Sequence, residues 1–247
     1  PLVIGNVPVP EAYEPEHILL CGAPGTGKTN LIVGMLDGIR KSGRRAIVYD
    51  TAGTFVEKFY RQGTDMLLNP LDQRVMRKLA RQKHTYVSVL LDRLLRSKLK
   101  DLAAFVTGTD AAAFISTEGE RTSAGIQAEL ASVMRSFGYL DDTEDGFSIR
   151  DWVEKGADGS WLFITVKADQ LPSLRPLITV WLDIAISAIM SLAPDRDRRL
   201  YCVIDELPTL HKLPSLSDFL ARARKYGGCG ILGFQSYPQL KATYGKE

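Results

Sequence analysis

Apolar positions follow two rhythms along the chain. Short unbroken runs predict strands, because a strand buried on both faces needs no alternation. Such runs are Ile18-Leu19-Leu20-Cys21, Ala46-Ile47-Val48-Tyr49, Met66-Leu67-Leu68, Trp161–Thr165, Leu200–Ile204 and Gly230–Gly233. Elsewhere apolar residues return every three or four positions. Leu31, Ile32, Met35, Leu36 and Ile39 predict a helix from Thr29 to Lys41, ended by Gly43. Further helices are predicted after Pro176 and over Leu216–Lys225. Strand, helix and strand over residues 17–49 form a βαβ unit, so parallel strands are expected. Residues 1–16 hold four prolines and predict an extended lead-in.

The rhythm changes after Asp72. Residues 75–142 lack strand runs and show helical spacing at Val87, Leu90, Leu91 and Leu94, then at Ile126, Leu130, Val133, Met134 and Phe137. The expected organisation is an α/β nucleotide-binding domain from residues 1–72 and 148–247, carrying an all-α insertion over 73–147. No internal repeat is evident.

At 247 residues, 45% hydrophobic and 24% charged, the chain can bury a sizeable core, which excludes wholesale disorder and a disulfide scaffold. A net charge of +2 neither marks nor excludes a nucleic-acid binder. Cys21, Cys202 and Cys229 form no CxxC and sit in apolar runs, so buried, reduced thiols in a reducing compartment are expected. Leu177–Leu192 is the most apolar stretch, but it is short and contains Asp183; it reads as a buried helix, with any membrane anchor lying before Pro1.

The chemistry concentrates at three places. Gly22-Ala23-Pro24-Gly25-Thr26-Gly27-Lys28-Thr29 satisfies GxxxxGK[ST] between a strand and a helix. Its glycines let backbone N–H groups turn toward phosphate oxygens, and the helix dipole adds to the attraction. Lys28 would reach the β- and γ-phosphates of ATP, and Thr29 would give a hydroxyl to Mg²⁺. Leu200–Ile204 ends in Asp205-Glu206: Asp205 would hold Mg²⁺ through a water, and Glu206 would polarise the attacking water. Gln235 follows the last strand, where an amide can contact both the γ-phosphate and that water. Asp50 also ends a strand and could border the site, although strand-ending Asp is common in turns. His17, His84 and His211 are too scattered for a metal site. Arg77, Lys78, Arg81, Lys83, Arg93, Arg96, Lys98 and Lys100 make the start of the insertion basic, as solvated helix faces often are.

These segments occur in an order that resembles one family. Gly22–Thr29, Tyr49–Phe55 leading to Leu68-Asn69-Pro70-Leu71-Asp72, Phe147–Trp152, Leu174–Ile178, Asp205-Glu206-Leu207 and Gly233–Ser236 together resemble the TraD/TrwB-type coupling proteins of conjugative type IV secretion systems. The resemblance covers nearly the whole chain. It implies a RecA-like P-loop NTPase sheet with helices on both faces and an inserted all-α domain. It implies a homo-hexameric ring at the cytoplasmic face of the bacterial inner membrane. It also implies an ATPase that moves single-stranded plasmid DNA, with attached relaxase, toward the secretion channel proteins. Helical phase leaves Arg222 and Arg224 equivalent; the resemblance selects Arg224 as an arginine finger supplied in trans. Three departures stand out. The family's membrane helices are missing, so a soluble fragment, monomeric in dilute solution, is expected. Gln73-Arg74-Val75-Met76 joins where the family has more residues. The final sheet strands and C-terminal tail are also missing. The competing readings are a related DNA-pumping or secretion ATPase unconnected with plasmid transfer, and a nucleotide-regulated scaffold with little turnover, against which Glu206 counts.

Overall fold

Within residues 1–16, expected to form an extended lead-in, β1 (Leu2–Ile4) and β2 (Val7–Val9) instead pair antiparallel as a hairpin, followed by a 3-10 turn over Glu11–Glu16. Strands of three residues are too short to show a period in sequence, and Pro8 obscures the second. The hairpin forms because Leu2 has a core to enter: it is buried beside α1 (Lys28–Lys41). The computed structural model describes residues 2–5, 7–70 and 147–245, with scattered positions between 101 and 139. The chain divides into two compact units, Pro1–Asn69 with Ser148–Glu247, and Pro70–Phe147. In the second unit the described residues include helical positions 131–134 and a 3-10 turn at Arg135–Tyr139. Most of the expected all-α insertion lies outside the described residues, as do His84 and the basic positions from Arg77 to Lys100.

All six expected strands pair in one sheet: β3 (Ile18–Cys21), β4 (Arg45–Asp50), β5 (Met66–Leu68), β6 (Trp161–Thr165), β7 (Leu200–Ile204) and β8 (Gly228–Phe234). Their order is β3-β8-β7-β4-β6-β5, and every pairing is parallel. β7 and β8 are buried along their whole length. β3 is not. Among the described residues it pairs only with β8, at the sheet edge, and Leu19 is 58% exposed. Cys21 is exposed as well, which corrects the expectation of three buried thiols. A four-residue apolar run looks the same in sequence at an edge and at a centre. Cys202 and Cys229 are buried, and burial pushes both thiols up to about 12, so neither ionises at neutral pH.

Helices cover both faces. On one, Ile32, Met35, Leu36 and Ile39 of α1 pack on Ala46, Val48, Trp161, Phe163, Tyr201 and Val203, together with Phe55 of α2 (Thr54–Phe59). On the other lie α3 (Ile149–Lys155), α4 (Leu171–Met190) and α5 (Leu216–Arg222), and α6 (Tyr237–Tyr244) ends the described chain. Ile189 and Phe219 come so near Gly228 that a Cβ there would lie within 3.0 Å of each, so glycine is what lets α4 and α5 approach β8. α4 begins five residues before Pro176. Pro172 sits in its first turn, where an N–H would be unpartnered anyway, and Pro176 forfeits only one helical bond. α4 is long and apolar enough to span a membrane, yet half of that window is buried in this fold, so it serves as a core helix.

Three buried carboxylates fix the frame. Asp50 accepts the amides of Ala52, Gly53, Phe55 and Val56 at 2.7–3.2 Å and so starts α2; it is an anchor rather than a border of the site. Asp65 grips Arg40 at 2.6 and 3.1 Å and the Trp161 amide at 2.9 Å. Glu14, fully buried, accepts from the Leu2 amide at 2.9 Å, Arg44 at 2.6 Å and the Tyr201 hydroxyl at 2.8 Å. Removing one member of a buried charge cluster leaves its partners uncompensated. Glu14→Ala is therefore expected to cost about 3–5 kcal/mol of stability in urea unfolding; a loss below about 1 kcal/mol would show that water replaces the carboxylate.

Candidate functional site

Parallel pairing sends the carboxyl ends of β3, β7 and β8 to one edge of the sheet. The loop Gly22–Thr29 leaves β3 there. Gly22 N–H still donates to Phe234 O at 3.2 Å, and the turn closes through Thr26 N–H and Oγ1 to Ala23 O at 3.2 and 2.8 Å. Gly25 and Gly27 take φ of 82° and 86°, which side chains rarely adopt. Gly27 then caps α1 without a side-chain partner. Among the described residues, the amides of Gly25, Gly27, Lys28 and Thr29 donate to no other backbone group, which leaves a set of N–H groups suited to phosphate oxygens.

β7 brings the two acids to the same place. Lys28 Nζ lies 3.2 Å from Glu206 Oε2, and both side chains are mostly buried, at 13% and 14% exposure. Asp205 lies beside them, and its Oδ1 is buried without a hydrogen-bond partner. Burial pushes its carboxyl up from the ordinary range, partly offset by Lys28 and reinforced by the charges of Glu206 and Asp50. Gly233 of β8 passes so close that a Cβ would lie 2.0 Å from Asp205 O, so only glycine permits this meeting of β7 and β8. Gln235 emerges one residue beyond β8, and its carbonyl faces the Cys21 thiol at 4.0 Å. Its side-chain amide has no hydrogen bond among the described residues. Lys28, Asp205 and Glu206 thus meet, with Gln235 at the end of the adjoining strand.

Arg224 is elsewhere. It lies in the 3-10 turn Ala223–Tyr226 that feeds the opposite end of β8, a strand of seven residues, hence about 20 Å long. It is 61% exposed and pairs with Glu16 Oε1 at 2.9 Å. Arg222 is bound to Asp218 on its own helix. Arg224 therefore does not reach the P-loop of its own chain. His17, which the sequence left without a role, has φ of 64°; it accepts from Gly230 N–H at 2.9 Å and stacks on Phe219. No signal in the sequence marks that strained joint.

Among the described residues no three His, Cys, Asp or Glu side chains cluster as a metal centre. The donor set is one acid with an unused oxygen and the nearby threonine of a phosphate loop. Such a site suits a hard divalent cation that keeps its waters and takes its remaining ligands from phosphates.

The geometry agrees with what the chain resembles. A family model described as "Type IV secretion-system coupling protein DNA-binding domain" matches residues 1–77 and 73–247. The coupling protein TraD of Escherichia coli (strain K12) is 32% identical over 297 residues, spanning 99% of this chain and 41% of TraD. The aligned length exceeds 247, so TraD carries residues that this chain lacks, in keeping with the abrupt join near Gln73. The plasmid coupling protein TrwB, solved with the non-hydrolysable analogue ADPNP, is 30% identical with a TM-score of 0.84, covering 99% of this chain and 70% of that one. TrwB solved with ADP and Mg²⁺ is 30% identical with a TM-score of 0.83, covering 99% and 69%. The α/β P-loop fold expected from the sequence is the fold observed.

The raised Asp205 carboxyl carries a sign that can be checked. Folding disfavours its ionised form, so stability is greatest below the ordinary carboxylate range and is lost as pH rises through the raised value. Asp205→Asn is expected to melt higher than the parent at pH 7, by about 2–4 °C per kcal/mol relieved, with the gap closing on acidification. Any extra melting rise that Mg²⁺ adds to bound nucleotide should disappear. A lower melting point at pH 7 would show that the ionised form is stabilised in the fold.

Proposed function

This chain belongs to the type IV secretion-system coupling-protein family, and we propose that it is an ATP-driven motor that moves single-stranded plasmid DNA, with attached relaxase, to a type IV secretion channel during conjugation. The observation that carries the reading is the convergence of Lys28, Asp205 and Glu206 beside an open phosphate loop. The chain spans 41% of the length of TraD, so activity, partners and location of the whole protein are inferred from this core. On this reading the full-length protein is a homo-hexamer at the cytoplasmic face of the inner membrane, and residues 73–147 form its all-α insertion. The DNA-binding description of the family model supports the nucleic-acid partner.

The residues act as follows. The amides of Gly22–Thr29 and the Lys28 ammonium hold the phosphates of ATP. Thr29 and Asp205 are the groups that would hold Mg²⁺, which would offset the charge of the phosphates. TrwB's complexes with ADPNP and with ADP and Mg²⁺ support ATP and Mg²⁺ as the ligands. The Lys28–Glu206 pair must part for either side chain to work. When Lys28 turns to phosphate, Glu206 loses its counter-ion and becomes the base that takes a proton from the attacking water. Gln235 orients that water and the γ-phosphate. Arg224, too distant within its own subunit, supplies a guanidinium to a neighbour's transferring phosphoryl group.

The decisive measurement is steady-state ATP hydrolysis with and without single-stranded DNA, which should stimulate it. Lys28→Ala should abolish turnover in a folded protein and weaken nucleotide binding. Glu206→Gln should keep nucleotide binding while turnover falls about 10²-fold or more; a joint loss of both would make Glu206 structural. Arg224→Ala should bind ATP normally and hydrolyse it slowly. Mixed with Lys28→Ala subunits it should recover part of the activity, because some interfaces then pair an intact P-loop with an intact Arg224. Full activity of Arg224→Ala alone would remove the finger.

A further inference from the structure

Four arginines have a buried Nε without a hydrogen-bond partner: Arg40, Arg45, Arg175 and Arg199. Three of them have acceptors at both terminal nitrogens. Arg40 holds Asp65, Arg45 donates to the carbonyls of Trp152 and Val153, and Arg199 donates to the carbonyls of Arg196, Arg198 and Glu11. Arg175 is different. Its guanidinium makes no hydrogen bond and no ion pair among the described residues. Its Nε is a buried donor whose hydrogen bond is left unmade. An anion would supply what is missing.

The place is distinct from the phosphate loop. Arg175 lies near the start of α4, on the sheet face opposite α1. Strand alternation turns Tyr49 to that face while Val48 and Asp50 turn to the other. The Arg175 charge acts on Tyr49 and on His211, whereas the charges acting on Asp205 are Lys28, Glu206 and Asp50. Tyr49, Thr209 and His211 offer hydroxyls and an imidazole.

The same groups lead to the acid turn. Tyr49 Oη lies 3.2 Å from Thr209 Oγ1, and Thr209 Oγ1 donates to Glu206 O at 2.7 Å. Burial pushes the Tyr49 phenol up to about 12, so it remains a donor at neutral pH. A second path runs from Arg175 O, which accepts from Thr179 Oγ1 at 2.8 Å, to the His211 amide, which donates to Thr179 Oγ1 at 3.2 Å. The first turns of α4 are thus tied to the segment that follows Glu206.

We propose that Arg175 binds a backbone phosphate of the single-stranded nucleic acid, and that Tyr49 and Thr209 act as positioning residues that pass this contact to Glu206. The inference rests on the motor reading above. A planar guanidinium suits a phosphodiester, and a contact to phosphate carries no sequence preference, as transport of arbitrary DNA requires. A phosphate beside Arg175 would draw its guanidinium outward, shift the Tyr49–Thr209 pair and re-aim the carbonyl, and with it the side chain, of Glu206.

The test uses the 247-residue chain, a homopolymeric single-stranded deoxyoligonucleotide and ATP hydrolysis. For each protein the stimulated rate is divided by its own DNA-free rate. Arg175→Gln should raise the DNA concentration needed for half-stimulation about tenfold and lower the slope of log affinity against log salt by about one. Arg175→Lys keeps the charge without the fork, so it should keep the slope and weaken the midpoint less; it carries the test if Arg175→Gln does not fold. Tyr49→Phe should bind the oligonucleotide with the parent's affinity and salt slope yet lose most of the stimulation. A parent that DNA does not stimulate would sink the motor reading itself. A stimulated parent with an unchanged Arg175→Gln midpoint and slope would overturn this proposal alone. So would an Arg175→Gln effect seen only in self-association by sedimentation, which would assign the missing counter-charge to a second subunit.

Discussion

Parallel pairing of β3, β8 and β7 is the constraint on which the rest depends. Parallel strands must each return across a face of the sheet, so all their carboxyl ends emerge on one edge. That edge gathers a phosphate loop from residue 22, an acid pair from residue 205 and an amide at residue 235, parts separated by nearly the length of the chain. Two glycines make the convergence sterically possible. Gly228 admits Ile189 and Phe219 against β8, and Gly233 admits the Asp205 carbonyl. A methyl group at Gly228 would push the helices off β8, and one at Gly233 would push β7 and β8 apart.

The charges show how such a site waits. Lys28 and Glu206 neutralise each other where water is scarce, while Asp205 keeps an oxygen with no partner. Both arrangements are less favourable than they would be with phosphate and a cation present, so binding has free energy to release. The far end of the sheet is built the opposite way. There Glu14 and Asp65 are saturated by arginines and backbone amides. Saturated carboxylates hold the amino edge, while the acid left with an unused oxygen sits beside the phosphate loop. Arg175 belongs by the same measure with the unsatisfied groups, on the other face.

Much of this was legible from local pattern. The phosphate loop is contiguous, so its glycines, its lysine and the flanking strand and helix can be read without knowing any distant contact. The acid pair is legible because a fully buried strand is an unbroken apolar run and its end is marked by the first charges. The helix Lys28–Lys41 follows from its period. All of these are short-range properties of a chain whose local preferences agree with its fold.

What tertiary structure decided was everything set by a partner distant in sequence. Whether β3 lies at an edge or a centre depends on which strands pair with it, so the exposure of Leu19 and Cys21 could not be read from an apolar run. The hairpin at residues 2–9 exists because Leu2 enters a core built by α1 and Glu14 holds the Leu2 amide. Asp50 could have lined the site or ended a turn, the commoner role of a strand-ending Asp, and four amides of the following segment claim it. Arg222 and Arg224 flank the apolar stripe on opposite sides, so phase could not choose between them; the fold tells them apart by their ion pairs to Asp218 and Glu16. The sequence by itself determined which chemistry the chain carries, because phosphate loops and buried strands are local. The fold alone decided which charges are left without a partner, because satisfaction of a charge is a property of its neighbours in space.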